Sequence, residues 1–231
     1  GYEAMLWTRV AASFGLFVTV TLLTWLFIAV NVLIARRLDP FGLVDTPPEQ
    51  IAAAFGVRVP VVILAAAAVF ALFTGISYAA DWQQLLLFFN QTPFPQTDPI
   101  FGQNISFYMF TLPIWELLRG WLFTLLLVSI LAVVVTTGVG WRGWAVKPAV
   151  LRHLAILGAL ALATIAWEYQ LQAYELLYSP SGVVYGAGYA DIQARLPAYN
   201  ILIVVTLIAA LLLIITGFLR RGWRAIAVVL A

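Results

Sequence analysis

The sequence predicts an all-α polytopic transmembrane helix bundle with five full spans, the start of a sixth, and interfacial helices in the outer connections. Three observations predict it. Hydrophobic residues make up 64% of the 231 residues and charged residues only 10%, less than half the roughly 25% of an average soluble domain. Mean hydropathy is +1.00. The charged residues also leave uncharged runs of the length, about 20 residues, that crosses roughly 30 Å of hydrocarbon. A single transmembrane helical domain is expected over residues 1–231.

The first span is expected at 10–35, the uncharged run from Val10 to Ala35, and it stops at Arg36 and Arg37. The connection that follows holds Asp39-Pro40 and Pro47-Pro48. Proline halts a helix that reaches it but tolerates the first turn of a new one, so Pro48-Glu49-Gln50 can open a short helix ending near Val57. The second span is expected at 59–80.

The outer connection 81–111 is too long for a plain turn. Its Trp82–Phe89 stretch is aromatic and apolar but only eight residues long, which suits the headgroup layer. A Pro-rich stretch, Asn90 to Pro95, is extended, and Asp98-Pro99-Ile100-Phe101-Gly102 reads as a turn. Asn90-Gln91-Thr92 and Asn104-Ile105-Ser106 fit the short N-glycosylation pattern, a weak signal. The third span is expected at 112–138, with Pro113 in its first turn and Glu116 at its positive end.

The fourth span, expected at 150–171, poses a problem of length. Only 14 uncharged residues separate His153 from Glu168, which at 1.5 Å per residue cover roughly 21 Å. Either Arg152 snorkels and Glu168 sits at the boundary, or the helix continues past Glu168 toward Leu177. The outer connection 172–196 begins helically, ends that helix at Tyr178-Ser179-Pro180-Ser181-Gly182, and is loosened by Gly182, Gly186 and Gly188. The fifth span is expected at 197–219 and the start of another at 225–231. Opening at Gly1 without Met and closing inside an apolar run, the chain reads as part of a longer polypeptide.

Charge sets the direction. Arg36, Arg37, Arg58, Arg142, Lys147, Arg152, Arg220, Arg221 and Arg224 fall on one side, nine of the twelve basic residues, while Arg9, Arg119 and Arg195 fall on the other. Lys and Arg accumulate in cytoplasmic loops, so the nine-residue side is expected in the cytoplasm and residue 1 outside. The basic residues are sorted by membrane side, so the pI near 9.1 is no nucleic-acid signal.

Chemistry is sparse. The chain has no Cys and one His, which excludes disulfides, thiolate catalysis, Cys-ligated zinc and multi-histidine metal sites within it. No nucleophile–base set or metal constellation stands out, so the reading leans away from an enzyme and leaves the question open. The polar candidates lie at the outer interface. Glu116 and Arg119 are three apart and can pair on one helical face; Glu168, Gln172 and Glu175 follow at spacings of four and three. Asp191 and five tyrosines, Tyr169, Tyr174, Tyr178, Tyr185 and Tyr189, gather nearby. A substrate gate, a cation site or a proton-accepting carboxylate is one reading. An aromatic belt with charges paired to ease burial is the blander one. His153 is a weak candidate for holding a porphyrin-type pigment and more simply an interfacial side chain; Asn31 is read as an interhelical hydrogen bond.

The segment Asp98-Pro99-Ile100-Phe101-Gly102-Gln103-Asn104-Ile105-Ser106-Phe107-Tyr108-Met109-Phe110-Thr111-Leu112-Pro113 resembles the most recognisable stretch of uncharacterised protein family 0182. Tyr174-Glu175-Leu176-Leu177-Tyr178 and Gly186-Ala187-Gly188-Tyr189-Ala190-Asp191 are similar to a second. Gly1-Tyr2-Glu3 with Trp7-Thr8-Arg9 looks like the stretch after the family's first helix. The resemblance implies a bacterial membrane protein with seven helices and a large extracytoplasmic region, of which this chain supplies helices two to six and the start of seven. It implies no activity, cofactor or catalytic residue.

The expectation is thus a multi-pass protein of the bacterial cytoplasmic membrane whose partners are the lipid bilayer and other membrane protein subunits, with no nucleic acid. An accessory subunit acting by association comes first. A transporter or channel using the outer carboxylates, and a pigment- or quinone-associated subunit of a bioenergetic complex, are the alternatives.

Overall fold

The computed structural model describes residues 2–139, 146–178 and 186–219. Gly1, Arg142, Gly182, Tyr185, Arg220, Arg221, Arg224 and the expected helix start at 225–231 lie outside the described residues. Helices dominate: α1 (Tyr2–Leu38), α2 (Pro47–Ala54), α3 (Val59–Ala79), α4 (Trp82–Phe89), α5 (Leu112–Thr137), α6 (Pro148–Glu175) and α7 (Leu196–Phe218). Among the described residues there is no β-strand, only an isolated bridge between Thr97 and Asn104. Five helices, α1, α3, α5, α6 and α7, are long and apolar enough to cross a membrane.

Local chemistry explains where these helices begin and end. Thr46 takes an extended conformation and Pro47 opens α2, where its missing N–H costs nothing. α3 and α6 likewise start with Pro60 and Pro148 in their first turns. α5 and α7 are each preceded by one wide π turn, Phe107–Thr111 and Asp191–Arg195, followed by Leu-Pro. A proline ring clashes with the carbonyl four residues back in an α-helix, and the wider turn moves that carbonyl aside. α5 ends on Gly138 in the left-handed region, φ 66°. α6 runs unbroken through Glu168 to Glu175, then tightens into a 3₁₀ turn, Leu176–Tyr178. The short fourth apolar run is therefore met by continuation of the helix past Glu168.

The helices pack as a row. The chief contacts give the order α3–α1–α5–α6–α7, with α7 leaning on α6. One core cluster, Ile28, Val32, Ala67, Leu125 and Ala132, joins α1, α3 and α5; a second, Ala35, Leu126, Val133, Leu157 and Ala161, joins α1, α5 and α6. Hydrogen bonds between helices supplement packing, as expected where lipid gives no hydrophobic drive to associate. Trp121 Nε1 donates to Thr24 Oγ1 at 2.9 Å, Ser13 Oγ to the Ala79 carbonyl at 2.9 Å and Tyr78 Oη to the Leu117 carbonyl at 3.2 Å. Asn31 is buried, but its Nδ2 donates to the Phe27 carbonyl of its own helix at 2.9 Å. This corrects the expected interhelical role: the amide satisfies itself one turn back, and the Trp121–Thr24 bond takes that role.

Consecutive spans run antiparallel. At the basic end the α1–α3 connection touches the end of α5, with Gly42 and Gly138 meeting backbone to backbone so that a Cβ on either would collide with the other connection. Lys147 Nζ pairs with Asp39 there at 2.7 Å, and the Arg152 guanidinium lies 5.5 Å from the Phe218 ring centroid. The opposite end gathers the long connections. Arg9 lies 5.9 Å from the Trp82 ring centroid, tying the start of α1 to α4.

Candidate functional site

At the end opposite the basic connections, α5 and α6 face each other over their terminal turns. Arg119, about two turns into α5, forms an ion pair with Glu168 of α6. Glu168 Oε1 also accepts from Gln172 Nε2 at 2.9 Å, the four-residue spacing on one helical face. Arg119 thus reaches across to α6 instead of back to Glu116, correcting the expected pairing within one helix. The interhelical partner keeps both charges neutralised at the seam, with about a quarter of each side chain exposed. Glu116 stands three residues before Arg119 on α5. Glu116 Oε1 and Arg119 Nε are buried without a hydrogen-bond partner of their own. Among the described residues no three His, Asp or Glu converge closely enough to hold a metal ion.

Asp191 stands apart from this set. It is buried, accepts from the Gly188 amide at 2.9 Å through Oδ2 and pairs with Arg195 at 2.9 Å through Oδ1, closing the turn that starts α7. His153 sits in the second turn of α6, and its Nε2 has no hydrogen-bond partner. The tyrosines divide: Tyr169 stacks on Tyr199 of α7 at 6.2 Å, Tyr174 turns toward the other long connection, and Tyr189 is exposed.

The sequence reading missed how the two long connections dock. Tyr174 of α6 meets Phe101, Phe107 and Tyr108 edge-on at centroid distances of 4.8, 5.1 and 6.3 Å. Phe107 also meets Trp115, which meets Trp167. Beneath these rings Asp98 organises its loop. Its carboxylate accepts from the amides of Ile100, Phe101 and Gln103 at 2.9, 2.6 and 2.7 Å and from the Tyr108 hydroxyl at 2.8 Å. Partial desolvation raises the Asp98 pKa, but these donors outweigh it and hold the carboxyl below its ordinary range. Asn104 is similarly occupied: Oδ1 accepts from the Phe94 and Ser106 amides and Nδ2 donates to the Phe94 carbonyl at 2.6 Å. The Asp-Pro-x-x-Gly pattern signalled the turn; nothing in the spacing signalled Tyr108 as its lock or Tyr174 as its neighbour.

Two of the cavities among the described residues differ in character. An apolar one of about 260 Å³ opens between α1, α5 and α6 against Phe27, Leu122, Leu126, Leu160, Thr164 and Trp167. The Thr164 hydroxyl that lines it donates to the Ala161 carbonyl at 2.7 Å. A smaller, polar cavity of about 80 Å³ lies at the basic end.

Comparison with known proteins adds one family. The model of the Uncharacterised protein family (UPF0182) matches residues 1–231. A UPF0182 protein of Desulforamulus reducens is 33% identical over 250 residues, covering 95% of this chain and 26% of the relative. One of Kocuria rhizophila is 38% identical over 232 residues (97% and 23%), and one of Trichlorobacter lovleyi is 34% identical over 240 residues (98% and 26%). The chain therefore spans about a quarter of the length of these curated relatives. No solved structure matches it.

Proposed function

The chain belongs to the uncharacterised protein family UPF0182, and from that premise we propose that it is a multi-pass subunit acting by association with other membrane proteins. The observation that carries this is the open row. The described helices, in the order α3–α1–α5–α6–α7, close no ring around a central path; Lys147–Asp39 and Arg195–Asp191 pair at helix ends, and Arg119–Glu168, about two turns inside α5 and α6, is neutralised across the seam. A transporter instead gathers its polar groups at the membrane midplane. α7 is the most open of the five spanning helices: Ile201, Val204, Val205, Ile208 and Leu211 are all more than half exposed along it. A photo-crosslinker at Ile208 or Leu211 is expected to capture a defined membrane protein in cells. Products with lipid alone would remove the support for association through α7.

The same reading puts the chain in the bacterial cytoplasmic membrane, with the basic connections in the cytoplasm and residue 1 outside, which the Lys/Arg asymmetry supports. Transport is a second reading, favoured by the interhelical Arg119–Glu168 pair and the buried, unpartnered Glu116 Oε1 on the same helix as Arg119. Ion flux in reconstituted vesicles tests it: unchanged flux in Glu168→Gln and Glu175→Gln eliminates these residues.

A further inference from the structure

The polar cavity at the basic end lies where three spanning helices stop. Arg36 comes from the last turn of α1, Arg58 and Pro60 from the start of α3, and Thr136 from the last turn of α5, with Asp39 and Glu49 completing the polar lining. These helix ends are where the apolar runs finish, which sets the cavity at headgroup depth. Two of its four charged groups are already occupied. Asp39 is neutralised by Lys147 at 2.7 Å, and Glu49 Oε2 accepts the Val59 amide at 3.4 Å, capping α3. Arg36 and Arg58 form no ion pair among the described residues. Two guanidiniums therefore line one cavity with no ion pair of their own and outnumber the one carboxylate, Glu49, that Lys147 does not neutralise, a donor arrangement that suits the oxygens of phosphate.

We propose that this cavity binds the phosphodiester of a membrane phospholipid headgroup, with Arg36 and Arg58 as its ligands. With Asp39 and Lys147 cancelling, Arg36 and Arg58 against Glu49 leave one net positive charge, the complement of a phosphodiester. A free phosphate shares the oxygen chemistry but carries nearer two negative charges at neutral pH, and the headgroup depth favours the lipid. Arg37 supplies the internal control. It neighbours Arg36 and is exposed, yet it does not line the cavity.

The test is native mass spectrometry of the purified chain, counting lipids retained after partial delipidation, with phosphatidylglycerol and a phosphate-free diacyl glycolipid as probes. Wild type and Arg37→Gln are expected to retain phosphatidylglycerol in preference to the glycolipid. The double variant Arg36→Gln/Arg58→Gln is expected to lose that retention roughly tenfold or more, since two charge-assisted contacts are removed. Should the double variant not fold by circular dichroism, Arg58→Lys keeps the charge without the planar fork and is expected to retain less than wild type. Equal losses in Arg37→Gln would reduce the effect to diffuse surface charge and overturn the site. So would equal retention of the glycolipid. Tight binding of inorganic phosphate to lipid-free wild type in detergent would overturn the assignment to a lipid.

Discussion

Asp98 shows how much one side chain fixes at the loop end. Four donors converge on its carboxylate, one of them the Tyr108 hydroxyl, and Tyr108 in turn carries the ring contact to Tyr174. Its folded-state pKa lies below the unfolded value, so the stabilisation is complete above the ordinary Asp range, roughly pH 4, and is lost as pH falls through the folded value. Amide exchange at Ile100, Phe101 and Gln103, corrected for intrinsic rates, is expected to accelerate in that acid window. Asp98→Asn is expected to accelerate it already at neutral pH; protection unchanged by either would contradict the carboxylate's role. The Arg119–Glu168 pair makes a second residue-scale prediction. Arg119→Gln strands Glu168 in a partly buried seam, which is expected to cost about 1–2 kcal/mol, between the values for exposed and buried pairs. The double variant Arg119→Gln/Glu168→Gln is expected to recover part of that loss in thermal unfolding in detergent, and strict additivity would show that the pair is not coupled.

At the scale of elements, close approach depends on small residues. A Cβ at Gly75 would collide with Thr21 Oγ1 of α1 and lie 2.9 Å from the Phe17 carbonyl, and one at Gly217 would collide with the Ala155 Cβ of α6. These glycines sit at α1–α3 and α6–α7, the two most extensive helix pairings. Gly217→Leu is expected to lower stability by about 1–3 kcal/mol through forced separation of α7 from α6; an unchanged unfolding midpoint would mean that α7 is not held there. Helix existence and order were legible from uncharged runs and prolines because a spanning helix must satisfy its backbone internally. What was hidden depended on pairing between distant elements. Spacing put Glu116 and Arg119 on one face of α5, but only the approach of α6 could decide that Arg119 turns to Glu168. Likewise Asn31 had a partner within its own helix, which no pattern of apolar residues reveals.

For the molecule as a whole, the row α3–α1–α5–α6–α7 and the sorting of charge are separable claims. The absence of native Cys makes sidedness directly measurable. Single cysteines at Thr97 and Phe55, both exposed and in connections at opposite ends, are expected to react with an impermeant maleimide from outside and only after permeabilisation, respectively. The reverse pattern would invert the orientation. The central claim, action by association, is tested most directly by the native particle. Its mass is measured, and its subunits identified, after mild solubilisation from the membrane in which it is made. A large particle of fixed stoichiometry containing other membrane proteins is the result predicted. A lone chain carrying only lipid would contradict it and move attention to Glu116, Glu168 and Glu175 as residues of transport.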